Sequence, residues 1–290
     1  GGNKVMVNSA VTEEMITLGS NVNNEKMISA ALAEDRMMIY YQPISSLKGN
    51  QGNQGNQGNH FEILVRIVDE SGNIILPGEF FSMAETTGQA VDIDLYVIEK
   101  VIRMMAENPD QEMTLFIKLT RQTVADHDFA LWVIGKINEY NINPEKLVFE
   151  ISENTLQSNL KNLSMLSKAL HAIGCRIAIE HYRMSTKPQH LLHIHTDYLK
   201  IDSSLVEGIS RKGESLEKVT AIMAIARENN YITIAEGVEN PTNLAMLWEL
   251  GVSLAQGYFI QAPAGNLDFE FQDIVSGNCE ESNKSTFVIG

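Results

Sequence analysis

Eight short β-rich runs separated mostly by longer helical ones leave few folds open to this chain. The runs lie at 37–44, 61–68, 113–119, 147–151, 176–181, 198–201, 232–235 and 254–260. Helical patterns fall between most of them, at 90–107, 122–140, 158–172, 214–229 and 241–250, with shorter stretches near 79–86 and 187–194. That alternation predicts an α/β fold, a closed (β/α)8 barrel of the TIM type rather than an open sheet. A chain of 290 residues accommodates one such barrel with tails, since these units run to about 250 residues.

The first two dozen residues are polar and aperiodic, and a helical spacing begins with Met27, Ile28, Ala31 and Leu32. The expected organisation is an N-terminal tag or linker over 1–24, a barrel over 25–265, and a C-terminal segment over 266–290. In that last segment Phe269, Phe271 and Ile274 suggest one docked turn or strand before a frayed end. Between the first two strand runs, 49–59 repeats Gly-Asn-Gln and reads as a flexible loop. Gly1-Gly2 without an initiator Met, and with no signal-peptide pattern after it, reads as an expression scar on a fragment of a longer cytoplasmic protein. No run of roughly 18 apolar residues marks a membrane span. A formal charge of −15 opposes wrapping DNA or RNA, because each neutralised phosphate needs a cationic partner. Cys175 and Cys279 have neither metal nor disulfide-framework spacing.

In such a barrel the carboxyl ends of the strands converge on one face, where active sites are built. The strand ends offer Gln42, then Glu62 and Arg66, then Lys118 and Thr120, then Glu150 and Glu153. They continue with Glu180 and His181, Lys200 and Asp202, Glu236 and Glu239, and Gln256. Carboxylates crowded at one mouth raise one another's pKa unless cations neutralise them. Those cations are divalent metals or basic side chains, and oxygen-rich clusters suit Mg²⁺ or Mn²⁺ in phosphodiester hydrolysis. Any single acid of this set, Glu153 in particular, fits equally well as a helix N-cap. Lys200 and Glu236 lie among apolar neighbours, where an unpaired charge is costly, and this favours a shared site. His190, His193 and His195 lack the carboxylate or cysteine that would complete a zinc site and read as a polar face.

Six motifs occur in order: Tyr41-Gln42-Pro43-Ile44, Phe61-Glu62-Ile63-Leu64-Val65-Arg66, Pro77-Gly78-Glu79-Phe80, Leu199-Lys200-Ile201-Asp202, Ala235-Glu236-Gly237-Val238-Glu239 and Gln256-Gly257-Tyr258. Together they resemble the EAL domain, the barrel that binds and usually hydrolyses cyclic di-GMP. The resemblance implies a two-metal acidic site, with Lys200 and Glu236 at positions that handle the attacking water. It also implies a ligand mouth of Gln42, Glu62, Leu64, Arg66, Pro77, Asp94, Gly237, Val238, Glu239 and Gln256. Arg66 matches a phosphate contact. Asp94 suits a guanine edge, with an N-cap of the following helix as the alternative.

The chain departs from the family in its machinery. Where active members end the third strand in a metal-ligating asparagine, this one reads Ile117-Lys118-Leu119-Thr120. Where the fifth should end in an aspartate pair, it reads Glu180-His181-Tyr182-Arg183, followed by Met184-Ser185-Thr186-Lys187-Pro188. A fixed ammonium at Lys118, beside Glu62 and Glu150, would repel a dication and remove one oxygen ligand. An imidazole is also a ligand that Mg²⁺ disfavours. The reading is therefore a degenerate EAL domain whose Glu62, Lys118, Glu150, Glu180, His181, Lys200, Asp202 and Glu236 are vestiges of a catalytic site. It is expected to bind cyclic di-GMP with no metal or other cofactor and no hydrolysis. It would pass occupancy to a PilZ-type adaptor in type IV pilus and twitching-motility regulation. The rivals are an active phosphodiesterase and an interaction scaffold without ligand. Candidate partner surfaces are the apolar stretch 267–274 and the helix 122–137 with Phe129, Leu131 and Trp132.

Overall fold

The computed structural model describes residues 25–47, 59–211, 213–267 and 269. Each of the eight β-rich runs contributes a strand to one closed barrel: β1 (Met37–Ser46), β2 (Asn59–Val68), β4 (Met113–Lys118), β5 (Leu147–Ser152), β6 (Arg176–Tyr182), β7 (Tyr198–Ile201), β8 (Ile232–Ala235) and β9 (Leu254–Ala255). A two-residue strand, β3 (Ile74–Ile75), pairs with the far end of β2. From β2 to β9 neighbours run parallel, and β1 closes the ring antiparallel to both β2 and β9. The reversal follows from the sequence. Parallel neighbours need a crossover, usually a helix, and no helical run lies between the first two strands.

The helices are α1 (25–33), α2 (Pro77–Thr87), α3 (Ala90–Glu107), α4 (Arg121–Ala125), α5 (Phe129–Tyr140), α6 (Glu153–Ser158), α7 (Leu160–Ala172), α8 (Ser203–Gly208), α9 (Glu214–Asn229) and α10 (Pro241–Glu249). The helix expected over 122–140 is broken at Asp126-His127-Asp128, where Asp126 takes extended backbone and ends α4. The stretch near 187–194 is a 3-10 turn, Pro188–His193, opened by its proline. The last strand stops at Ala255 rather than 260, because the chain then folds over the end of β8: Val238 N–H donates to the Gln256 carbonyl, and Phe259 N–H to that of Val238.

Two cores result. The larger lies between strands and helices, where α3 buries Ile93, Val97, Ile98, Val101 and Ile102 at helical spacing. The smaller fills the barrel itself with Ile44, Phe116, Val148, Ala178, Tyr198, Ile234 and Leu254, joined by the ring of His60. This inner plug sets the height of the site. Side chains alternate across a strand, so the residue two further along each parallel strand, or two earlier on antiparallel β1, points inward one layer higher. Those residues are Gln42, Glu62, Lys118, Glu150, Glu180, Lys200, Glu236 and Gln256. Each of the eight barrel strands lays one polar or charged group on the apolar plug.

Candidate functional site

Lys200 stands at the centre of the polar layer, wholly buried. Its ammonium donates to Glu62 Oε2 and Glu150 Oε1, each at 2.7 Å, and lies 3.3 Å from Glu236 Oε1. Gln256 Nε2 donates to Glu62 Oε2 at 2.6 Å and to Gln42 Oε1 at 2.9 Å, so the antiparallel strand is tied into the same network. Lys118 pairs with Glu180 Oε2 at 2.9 Å rather than with Glu62 or Glu150, the partners expected from sequence. Lys200 has already engaged those two.

Glu180 and His181 are adjacent, yet both face the site, which regular alternation forbids. A bulge in β6 resolves this: Ile179 pairs with Leu199 and Tyr182 with Ile201, and His181 adopts a left-handed φ of 53°. The imidazole Nδ1 then sits 3.0 Å from Glu236 Oε2. Hydrogen bonding to Glu236 is the main reason that His181 is raised to about 9, against the opposing effect of burial. His181 is therefore an imidazolium at neutral pH.

The carboxylates divide by environment. Burial pushes Glu62 up, but the ammoniums of Lys200 and Lys118 and the bond from Gln256 together outweigh it and hold Glu62 at about 2. Glu150 is fully buried, and burial followed by the charge of Glu62 raises it to about 8. Among the described residues its Oε2 has no hydrogen-bond partner. Lys200 stays charged against burial because Glu150, Glu62 and Glu236 surround it. Lys118, Lys200 and His181 thus stand among Glu62, Glu150, Glu180 and Glu236, and Asp202 Oδ2 lies 3.8 Å from His181 Nδ1.

Among the described residues, two sets of side chains bring ligand atoms within 4.8 Å of one another as a metal would need: Glu62, Glu150 and Glu180, and Glu180, His181 and Glu236. Glu180 is common to both sets and is the carboxylate that Lys118 occupies. An ion in either set would meet that ammonium, and in the first set Lys200 as well. The donor atoms suit a divalent cation, but the charges among them do not.

Two concavities open above the layer. One, of about 330 Å³, is lined by Glu62, Leu64, Pro77, Asp94, Lys118 and Glu180, among others. The other, of about 240 Å³, includes Gln42, Glu62, His181, Glu236, Gly237, Glu239 and Gln256. Glu150 and Lys200 form the floor beneath them, with no exposed surface. Arg66 lines neither cavity. It lies farther up β2 on the face shared with Glu62 and Leu64, its guanidinium 3.8 Å from the centre of the Tyr40 ring. The Val238 side chain is wholly buried, and Asp202 caps α8, accepting from Ser204 N–H at 2.9 Å.

Two capping expectations change. Asp94 lies inside α3 and does not cap it. Its carboxylate reaches across to Thr120 and Thr123 at the start of α4, and burial, opposed by those bonds, raises it to about 6. Ser152, not Glu153, is the N-cap of α6. Glu153 instead holds the segment after β6, accepting from the backbone of Arg183 and Thr186 and from the hydroxyls of Ser185 and Thr186. Sequence reading gave no site role to Arg121 or Phe81 in the first cavity, or to Ser203 or Tyr258 in the second. Of these, only Tyr258 carried a signal, as part of the Gln256-Gly257-Tyr258 motif.

Of the expected partner surfaces, Phe129 is buried and Trp132 half-buried, while Leu131 is exposed. Leu267 and Phe269 pack on the core, and 271–274 lie outside the described residues. No helix among the described residues is long and apolar enough to cross a membrane.

Residues 25–263 match the family model of the EAL domain. The chain belongs to the EAL-domain family. This EAL domain is 29% identical to the FimX EAL domain from Pseudomonas aeruginosa bound to cyclic di-GMP, with a TM-score of 0.79 over 86% of this chain and 99% of that one. It is 28% identical to the cyclic di-GMP phosphodiesterase PdeF of Escherichia coli, over 83% of this chain and 32% of that protein. With the signaling protein YkoW of Bacillus subtilis the identity is 27%, over 86% of this chain and 31% of the relative. The EAL domain thus spans about a third of the length of these curated relatives.

Proposed function

We propose that this EAL domain is a receptor that binds cyclic di-GMP without cleaving it, requires no divalent metal, and passes its occupancy to a protein partner. The observation that carries the reading is the Lys118 ammonium at 2.9 Å from Glu180, the carboxylate shared by both metal-competent triads. Three basic side chains already face the carboxylates of the layer below the cavities, so a dication would meet their repulsion in a buried site. Likeness to the FimX EAL domain with cyclic di-GMP bound supports the ligand. A PilZ-type adaptor as partner and a cytoplasmic role in type IV pilus and twitching regulation are further parts of this proposal and rest on the family resemblance alone. The barrel unit is taken to span 25–265. Gln42, Glu62, Leu64, Pro77, Asp94, Gly237, Glu239 and Gln256 are the proposed ligand contacts, with Arg66 reaching a phosphate from the Tyr40 ring.

The two triads favour a second reading, an active phosphodiesterase like PdeF. Calorimetry with cyclic di-GMP, with and without EDTA, separates the readings when combined with a search for linear dinucleotide in the presence of Mn²⁺. The receptor predicts binding unchanged by the chelator and no product. Turnover approaching about one per second, an ordinary enzymatic rate, would defeat it.

A further inference from the structure

The outward side of the first barrel strand is incompletely covered. No crossover helix follows β1, and its outward-facing Ile39 and Tyr41 are half-buried, while Leu115 and Ile117 on β4 and Ile177 and Ile179 on β6 are at most 1% exposed. Against Ile39 and Tyr41 lies a cavity of about 740 Å³, on the opposite face of β1 from Gln42, walled by Tyr96, Lys100, Arg103 and Met104 of α3 and by Gly265. One edge of the strand is open as well. β9 is two residues long and pairs only with Ser45 and Ser46. The bond from Val68 N–H to the Arg36 carbonyl sets the alternation along β1: even-numbered residues bond to β2, and odd-numbered ones turn their N–H and C=O to the other edge. On that edge Tyr41 exchanges both backbone bonds with Ala264, at 2.8 and 3.0 Å, and the Met37 carbonyl accepts from Lys100 Nζ at 3.0 Å. Between them, neither the N–H nor the C=O of Ile39 has a backbone partner among the described residues.

We propose that this edge and cavity are the docking site of the chain's own segment 270–272, which lies outside the described residues, with Phe271 opposite Ile39 in an antiparallel pair. A strand edge with an unpaired N–H and C=O is a template for another strand. The residue opposite Ile39 points its side chain to the same face of the sheet, which here puts the Phe271 ring in the cavity over Ile39, Tyr41 and Met104. The chain is already at hand: Ala264 holds the neighbouring rung, Gly265 lines the cavity, and Leu267 and Phe269 pack on the core. The six residues from Gly265 to Phe271 span up to roughly 20 Å, enough to leave the edge after Ala264 and rejoin it two residues farther along β1. Leu267, Phe269 and Phe271 alternate with Asp268, Glu270 and Gln272, the period of a strand with one apolar face. Tethering at Ala264 gives this segment an effective concentration that a free peptide lacks. The inner face of β1 carries Tyr40 against Arg66 and Gln42 in the polar layer, so the strap steadies the strand that reaches the ligand mouth. Its docking does not depend on what the mouth binds.

Hydrogen–deuterium exchange of the full chain, read by mass spectrometry with fragmentation to single amides, tests the strap. The Ile39 amide should be protected in the unsubstituted protein. Phe271→Asp should speed its exchange roughly tenfold, the worth of about one hydrogen bond. The Tyr40 amide, which faces β2, should keep its rate in both proteins. Phe287→Asp, the same change farther along the chain, should leave Ile39 protected. An Ile39 amide that exchanges freely in the unsubstituted chain, or whose protection survives Phe271→Asp, overturns the docking site. A rise at Tyr40 as large as that at Ile39 also overturns it, since loss of a strap on the outer edge leaves the bonds to β2 in place. Protection that appears only as the protein concentration rises would put a second copy on the edge, and the chain's own segment would then be the wrong occupant.

Discussion

Lys200 shows how one side chain can set the protonation of several others. It is 0% exposed, and among the described residues its ammonium is the one cation in ion-pair contact with Glu62 and Glu150. Removing it leaves Glu62 and Glu150 buried against each other. Breaking one side of such a buried pair costs about 3–5 kcal/mol, far more than the intact pair adds over an apolar substitute. Lys200→Met should therefore lower the free energy of unfolding in urea by about that amount with an unchanged m-value. A loss below about 1 kcal/mol would show that the layer rearranges around the gap. Lys118 is different: its side chain is 40% exposed, so its pairing with Glu180 matters more for excluding a cation than for holding the barrel together.

At the scale of elements, the site is shaped where strands depart from regularity. The β6 bulge turns two consecutive residues inward, and Glu153 at the head of α6 pins the segment that follows. The end of β9 makes a comparably tight arrangement with the loop after β8. At Gly257 an added Cβ would lie 2.2 Å from both the backbone nitrogen and the carbonyl oxygen of Val238. Backbone cannot yield as a side-chain tip does, so Gly257→Ala should destabilise the protein by about 1–3 kcal/mol, as overpacking does. It should also displace Glu239 and Gln256 and weaken ligand binding. Gly135→Ala, in α5 with nothing within 4 Å of the added carbon, is the control and should be neutral or slightly stabilising. Thermal melts of the two variants check the contrast, and equal melting temperatures would contradict so close an approach of the two loops.

For the molecule as a whole, the buried ion pairs of this layer make stability depend on pH. His181 is raised from an ordinary 6.5 to about 9 in the folded state. Its contribution is complete below about 6.5 and is lost as pH rises through about 9, because the folded form binds the proton more tightly. Glu150, raised to about 8, also makes stability fall with rising pH, so the difference between proteins isolates the histidine. The melting temperature of the unsubstituted protein should decline more steeply than that of His181→Asn between about pH 6.5 and 9. Parallel profiles would remove His181 from the charge balance. The barrel and the inward polar residues were legible in the sequence because both depend on local periodicity: strand and helix patterns alternate along the chain, and a period of two assigns the faces. The reversal of β1 was not part of that reading, although the missing helix between the first two runs carried its signal. Which carboxylate each lysine meets and the turn that brings Glu180 and His181 to one side were not legible. Those depend on groups 50 to 138 residues apart meeting across the ring, and on the low-dielectric plug beneath them, which makes every charge answer to its nearest neighbours. Strand order and height along the barrel axis decide such distances, and no local pattern encodes them.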